Sequence, residues 1–374
     1  MPDLTVLLAA LAVILGLARL AGAAAMRLGQ PAVFGEILCG LALAPALRLL
    51  PATADSALTA LAQLGLVLFL FAAGAHLAPS MTTRRLKSAV IPALGATLVP
   101  FALGAALAVW LAQRHARGGT GAFVLVVAAA MAVTALPVLA RILAERGLLD
   151  AVAGQRALTA AAVSDVAAWT VLALATASAH GWSATLALLP LAVLWPARRR
   201  LGRLSRSSAM VVAAGLACAA AAVTEAAGLH PAIGAFFAGI VVGHAVPALA
   251  EPLSPAGSLL VPLYFVLVGR AVDVRLLDAA LAADIAAVVA VAVAGKLGGA
   301  YLGARSGGLD PHPAGVFAVL MNTRGVTEIV FAGIGLNLGL LDGALYTAMV
   351  VMALLTTAMT GPLLTRLSRQ REGV

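Results

Sequence analysis

The stretch Ala157-Leu-Thr-Ala-Ala-Ala-Val-Ser-Asp-Val-Ala-Ala-Trp-Thr-Val-Leu-Ala-Leu-Ala175 decides how this chain must fold. It is almost entirely apolar, and about 20 such residues cross the hydrocarbon core of a bilayer as a helix. Asp165 lies near its middle. An ionisable side chain at that depth costs roughly 2.5–3.5 kcal/mol on insertion scales and indicates a functional site. We therefore expect a membrane-embedded site to be built around Asp165.

The composition extends this pattern to the whole chain. Of its 374 residues, 63% are hydrophobic and only 10% are charged, and the mean hydropathy is +1.06. Soluble domains lack this composition, so the sequence predicts an all-α polytopic protein in the lipid bilayer. The net charge of +9 does not indicate a nucleic-acid partner, because the basic residues fall between the apolar segments.

Apolar segments of roughly spanning length recur along the chain and predict about thirteen transmembrane helices. Two of the segments are short, 183–197 and 253–269, so twelve or fourteen helices are alternative counts. The segments cover residues 4–24, 31–50, 56–76, 86–112, 120–144, 151–178, 183–197, 208–227, 231–247, 253–269, 278–304, 312–336 and 341–365.

The loop charges predict the orientation in the cell membrane. With the N-terminus outside, the inside loops and tail hold fourteen Lys and Arg residues and the outside loops hold four. The positive-inside rule then places the C-terminus in the cytoplasm. We interpret segment 4–24 as a retained helix, because the start Met1-Pro-Asp3 lacks the basic n-region of a signal peptide. We expect a single transmembrane domain over 1–374, with no soluble regulatory domain after Val374.

The segments divide into two sets of six around a linker helix. One set occupies about 4–178, the linker about 183–197 and the other set about 208–365. Because seven segments separate the first from the eighth, the second set enters the membrane in the opposite sense. This parity predicts an inverted repeat, which is a common plan among secondary transporters.

The fifth segment of each half is interrupted near its midpoint. Met131-Ala-Val-Thr-Ala-Leu-Pro-Val-Leu139 contains Pro137, which removes a backbone donor and disrupts the preceding turn. Leu320-Met-Asn-Thr-Arg-Gly-Val-Thr-Glu-Ile329 contains Gly325. A lone interruption indicates only a kink, whereas interruptions in matching places indicate a transporter site. Freed carbonyls and Thr134 would then line a cavity.

Other charged side chains also lie inside apolar segments. Arg324 and Glu328 are four residues apart, so they can neutralise each other on one helix face. If the helix breaks near Gly325, Arg324 would instead screen the facing half-helix ends. Lys296, one of only two lysines, is either a site cation that can lose its proton or a snorkelling side chain. Glu36 fits a structural role at a helix N-terminus.

The sequence contains no nucleotide loop, no H-E-x-x-H and no nucleophile elbow. Its six histidines show no metal-ligand spacing. Both cysteines, Cys39 and Cys218, lie in apolar segments and are interpreted as packing residues. We therefore expect neither a cofactor nor enzyme activity.

Five stretches, in order along nearly the whole chain, resemble signatures of the monovalent cation:proton antiporter family (sodium/proton exchanger type). The resemblance is greatest to the branch with bacterial potassium/proton antiporters and plant cation/proton exchangers. The stretches are Gln30-Pro-Ala-Val-Phe-Gly-Glu-Ile-Leu-Cys-Gly40, Gly65-Leu-Val-Leu-Phe-Leu-Phe71, Leu263-Tyr-Phe-Val-Leu-Val-Gly269, Leu320-Met-Asn-Thr-Arg-Gly-Val-Thr-Glu328 and Val351-Met-Ala-Leu-Leu-Thr-Thr-Ala-Met-Thr-Gly-Pro-Leu363.

The resemblance implies a homodimer in which each protomer has a dimerisation domain and a six-helix core. Segments 4–6 and 11–13 would form the core, with the fifth and twelfth broken and crossing, and the core would move in an elevator-like cycle. The family's paired site residues fall on Ser164 and Asp165. Asp165 would be the ion-binding carboxylate, whereas Ser164 departs from the usual Asp or Asn. Lys296 matches the lysine found beside the Asp-Asp pair, which leaves the stoichiometry open.

The expected function is exchange of Na⁺ or K⁺ for H⁺ at Asp165, which would bind the metal ion transiently. Thr134, Ser164 and backbone carbonyls would supply the remaining hard oxygen ligands. Arg324 and the half-helix dipoles would offset the residual charge. A passive cation channel is an alternative function. A non-transporting subunit is another, because Ser164 leaves the first carboxylate missing.

Overall fold

The structure is a computed structural model that describes residues 2–77, 83–148, 151–180, 206–227, 229–245, 250–272, 275 and 278–372. These residues form helices and no strand, which confirms the all-α prediction; the predicted linker helix at 183–197 lies outside them. The helices are α1 Pro2–Arg27, α2 Ala32–Leu47, α3 Ala52–Leu77, α4 Thr83–His115, α5 Thr120–Ala132, α6 Leu136–Glu145, α7 Val152–His180, α8 Arg206–Ala226, α9 Pro231–Ala245, α10 Ala250–Ala271, α11 Ala279–Ser306, α12 Pro311–Met321, α13 Val326–Asn337 and α14 Gly343–Glu372.

Six of the described helices are long and apolar enough to cross a membrane, judged by length and composition. They are α1, α3, α4, α7, α11 and α14. Shorter apolar helices of 10–17 residues include α5 and α12, which are the first halves of the two interrupted segments. The segment predicted at 253–269 lies within the single helix α10, which has 22 residues.

The chain divides into two compact units, each built from two separate stretches. The first unit combines Met1–Pro79 with Thr176–Val272, and the second combines Ser80–Ala175 with Asp273–Val374. The second unit therefore holds α4–α6 and α11–α14, together with most of α7. These are the same six segments that the resemblance assigns to the core.

In the first unit, α3 packs against α9 and α10, and α10 also packs against α2. Buried side chains such as Ile14, Leu58 and Leu263 form one apolar cluster of this unit. Glu36 lies in the second turn of α2, with only 8% of its surface exposed. Its structural role remains a prediction.

In the second unit, α4 and α11 approach so closely that their backbones touch. A Cβ atom placed on Gly299 of α11 would lie 2.5 Å from the carbonyl oxygen of Gly95 on α4. A Cβ atom on Gly95 would lie 2.6 Å from the Gly303 Cα. Small residues permit this kind of helix contact in membranes. The contact fixes the height at which side chains of α11 face α4.

We expect Gly299→Ala to lower the free energy of unfolding by about 1–3 kcal/mol, because the added methyl group overlaps the α4 backbone. Thermal melting of the detergent-purified protein measures the effect. Gly298→Ala is the matched control, since a Cβ atom at Gly298 meets no atom within 4 Å. Equal melting temperatures of the two variants would contradict the close helix approach.

Candidate functional site

The first interrupted segment breaks just before its proline, as the sequence predicts. α5 ends at Ala132, and α6 begins at Leu136. Val133 is extended, with φ −67° and ψ 150°. Pro137 is the second residue of α6, where its missing N–H is tolerated. In a continuous helix, the residue at position 137 would donate its N–H to the Val133 carbonyl. Pro137 has no N–H, so that hydrogen bond cannot form.

The second interrupted segment breaks at its glycine. α12 ends at Met321, and α13 begins at Val326. Gly325 has φ 144° and ψ −112°, a conformation that a residue with a Cβ atom rarely adopts. The predicted break residue is therefore the residue with the positive φ at the start of α13.

The two breaks lie against each other and satisfy part of each other's backbone. The Ala135 N–H donates to the Thr323 carbonyl at 3.0 Å. The Thr134 hydroxyl donates to the Met321 carbonyl at 3.1 Å. Irregular backbone at membrane depth needs such partners, because lipid offers none. Thr134 thus lies where the two breaks meet, and its role as an oxygen ligand of the site stays a prediction.

Two buried cations cap the carbonyl end of α5. The Arg324 guanidinium donates to the Ala130 carbonyl at 3.2 Å and to the Met131 carbonyl at 2.8 Å. The Lys296 ammonium donates to the Ala132 carbonyl. Both side chains are fully buried, so Lys296 does not snorkel. Cations favour a helix C-terminus because they complement its dipole and its unpaired carbonyls.

Arg324 also forms an ion pair across the second break. Its Nη1 lies 2.8 Å from Oε1 of Glu328, and both side chains are buried. The two roles considered for Arg324, neutralising Glu328 and screening half-helix ends, therefore coexist. The pair holds the first turn of α13 beside the end of α5.

Thr357 of α14, a residue without a predicted role, fixes the backbone of Arg324. Its hydroxyl accepts the Arg324 N–H at 3.1 Å and donates to the Arg324 carbonyl at 2.6 Å. The Asn322 amide donates to the Thr356 carbonyl at 3.3 Å. In the sequence, the stretch 351–363 could have indicated this residue, because it contains several threonines and resembles a signature of the antiporter family.

Asp165 and Ser164 lie side by side in α7, and both are buried. The Ser164 and Thr97 hydroxyl oxygens are 2.6 Å apart; Thr97, on α4, was not predicted. Oδ1 of Asp165 has no hydrogen-bond partner in the described part of the chain. The Lys296 ammonium is close enough for its charge to interact with that of Asp165.

Three carboxylates are buried among the described residues of the second unit: Asp165, Asp284 and Glu328. Glu328 is paired with Arg324, and Asp284 lies 2.9 Å from Nε2 of His115. Asp165 makes no direct ion pair within these described residues. It is therefore the buried acid of this unit that has no direct counter-charge in the described part of the chain.

Asp284 belongs to a charged cluster that sequence reasoning missed. His115, at the end of α4, contacts Asp284 through Nε2 and Asp342 through Nδ1, the latter at 3.0 Å. Arg117 pairs with Asp342 at 3.1 Å. The cluster joins the end of α4 to the starts of α11 and α14. Among the described residues, no group of three or more His, Cys, Asp or Glu is arranged to hold a metal ion.

The chain is similar to known antiporters over nearly its whole length. Residues 10–370 match the family model described as sodium/hydrogen exchanger, transmembrane. The chain is 32% identical to the Na⁺/H⁺ antiporter NhaS4 of Synechocystis over 97% of each sequence. It is 33% identical to cation/H⁺ antiporter 17 of Arabidopsis thaliana over 96% of this chain and 48% of that relative. It thus spans about half the length of the plant relative.

The chain is also similar to a yeast antiporter and to an archaeal antiporter of solved structure. K⁺/H⁺ antiporter 1 of Saccharomyces cerevisiae is 30% identical over 89% of this chain and 43% of its own length. The solved structure of the sodium/proton antiporter MjNhaP1 from Methanocaldococcus jannaschii superposes with a TM-score of 0.70 at 15% identity. It covers 98% of this chain and 97% of the archaeal chain, and at this identity it shows the shared fold.

The fold and the family match define the chain as a membrane transporter. The chain belongs to the sodium/hydrogen exchanger family, the monovalent cation:proton antiporters. The predicted family resemblance is thus confirmed. Since the family consists of secondary transporters, the prediction that the chain is not an enzyme is confirmed as well.

We expect Arg324→Gln to destabilise the protein by about 3–5 kcal/mol, because it leaves the Glu328 carboxylate buried without its partner. Adding Glu328→Gln should recover part of this loss, since no unpaired charge then remains. Thermal melting of the single and double variants checks the prediction. If the double variant melts no higher than Arg324→Gln, the buried ion pair is not the cause.

Proposed function

We propose that this chain exchanges a monovalent cation for H⁺, one for one, at the single carboxylate of Asp165. The observation that carries the proposal is the state of Asp165: it is buried and interacts with the charge of Lys296, but it makes no direct ion pair among the described residues. A bare carboxylate in that position needs a proton or a cation to compensate its charge. The relatives' names include both Na⁺ and K⁺, so either ion fits this proposal.

The formal charges of the site support a one-for-one exchange. With Asp165 ionised, the two acids Asp165 and Glu328 balance the two cations Lys296 and Arg324. One bound proton or one bound Na⁺ or K⁺ adds the same single charge. The rest of the site therefore experiences the same charge with either ligand, and the proton and the metal ion compete for the same carboxylate.

The oxygen atoms near the two helix breaks suit a hard monovalent cation. Asp165 offers an unpartnered carboxylate oxygen, and the hydroxyl groups of Ser164 and Thr134 can each accept through a lone pair. Carbonyls of the broken segments would complete the set, because hard cations prefer oxygen ligands. Pro137 and Gly325 contribute by interrupting the two helices.

The placement of the site in one unit supports an elevator-like cycle. Asp165, Lys296 and Arg324 all belong to the second unit, so they can travel together as a carrier. The first unit would then serve as the dimerisation domain of a homodimer. We place this assembly in the cell membrane with about thirteen spans, two inverted sets of six helices, the N-terminus outside and the C-terminus in the cytoplasm.

Asp165→Asn should abolish exchange while leaving the fold intact, because asparagine keeps the shape but cannot bind a proton or balance a cation. The assay uses proteoliposomes with a trapped pH dye, an imposed pH gradient, and added Na⁺ or K⁺ salts. The wild type should dissipate the gradient only when the cation is present. Comparing the salts identifies the transported ion.

Glu225→Gln serves as the control, because it also removes one negative charge but at an exposed position of α8. It should exchange at the wild-type rate. Full activity of Asp165→Asn would overturn the assignment of the carboxylate. Cation flux without proton flux in the wild type would indicate a channel, and no flux from folded wild type would indicate a non-transporting subunit.

A further inference from the structure

The Lys296 ammonium is bound by two backbone carbonyls. It donates to the carbonyl of Ala96 on α4 at 2.9 Å and to that of Ala132 on α5. Ala132 is the last residue of α5, so its carbonyl is free because the helix ends there. Ala96 is different, because it lies in the interior of α4, where a carbonyl normally accepts the N–H four residues later.

Pro100 explains why the Ala96 carbonyl is free. It lies four residues after Ala96, within the same continuous helix. Proline has no backbone N–H, so it cannot donate to that carbonyl. The sequence therefore creates a hydrogen-bond acceptor inside the backbone of α4, at the level of Lys296.

The packing of α11 directs Lys296 toward this acceptor. A Cβ atom on Gly295, the residue before Lys296, would lie 3.0 Å from the Pro100 Cα. One turn further on, Gly299 touches the backbone of Gly95. Lys296 thus projects from a stretch of α11 that contacts α4 on both sides of it.

The same turn of α4 also holds the neighbour of the exchange carboxylate. Thr97, next to Ala96, lies 2.6 Å from the Ser164 hydroxyl, and Ser164 precedes Asp165. One turn of one helix therefore binds both the ammonium and the residue beside the acid. This arrangement fixes the separation between the charges of Lys296 and Asp165.

We propose that Pro100 is a positioning residue of the exchange site. Its missing N–H keeps the Lys296 ammonium hydrogen-bonded to α4, where the positive charge acts on Asp165 from a distance. The transported cation then reaches the carboxylate oxygens without displacing an ammonium group. The inference rests on the proposed role of Asp165 and adds the device that keeps its oxygens accessible.

Pro100→Ala tests the device by supplying the N–H that draws the Ala96 carbonyl into a helical hydrogen bond. Lys296 then loses one acceptor and turns to Asp165, where it competes with the cation. We expect the KM for the cation in the proteoliposome assay to rise roughly tenfold, the scale of one hydrogen bond to a charged group. The kcat for exchange should stay near the wild-type value.

Pro92→Ala is the matched control, because it also removes a proline from α4. Pro92 packs against Gly307, two turns away from Pro100, so its KM should be unchanged. Pro100→Gly restores the same N–H and should repeat the KM increase, which guards against a folding defect of the alanine variant.

An unchanged KM in folded Pro100→Ala or Pro100→Gly would overturn the positioning role, as would an equal KM increase in Pro92→Ala. These outcomes are read with a wild type that exchanges normally. A wild type without exchange, or an active Asp165→Asn, contradicts the proposed function instead. The two failures are therefore distinguishable.

Discussion

Backbone carbonyls that a broken helix leaves unpaired must be satisfied inside the protein, and the rest of this structure depends on how that is done. The break after Ala132 exposes the last carbonyls of α5 at membrane depth, where lipid offers no hydrogen-bond donor. Lys296 and Arg324 supply the donors. Each donor brings a positive charge into the apolar interior. Because buried charges must be balanced, the site also needs buried negative charges.

The two buried carboxylates that balance these positive charges, Glu328 and Asp165, differ in their contacts. Glu328 contacts Arg324 directly, beside the break between α12 and α13. Asp165 interacts with Lys296 through space, and one of its oxygens has no partner in the described part of the chain. A paired buried acid mainly stabilises the arrangement. In the proposed function, a mobile ligand compensates the unpaired acid, so Glu328 would be the structural carboxylate and Asp165 the transport carboxylate.

The places where the helices break could be predicted from the sequence, because local chemistry determines them. Proline cannot continue the hydrogen-bond ladder, and glycine alone adopts the φ of 144° found at Gly325. The buried position of Asp165 also followed from the hydrophobicity of its surroundings. Lys296 and Arg324 were predicted as charges of the site, but their acceptors on α5 were not.

The remaining contacts could not be predicted, because they join residues far apart in the chain. Thr97 and Ser164 are separated by 67 positions, and Lys296 and Ala96 by 200. No spacing rule links such pairs. Pro100 illustrates the limit: in the sequence it resembles an ordinary helix proline, and its effect on the Ala96 carbonyl becomes visible only when α11 is packed against α4.

In the proposed exchange, a proton and a cation compete for Asp165. The most direct measurement adds Na⁺ or K⁺ to purified protein in weakly buffered solution and counts the protons released with a pH indicator. We predict that the wild type releases one proton per bound cation and that Asp165→Asn releases none. Cation binding without proton release, or the same release from Asp165→Asn, would contradict it.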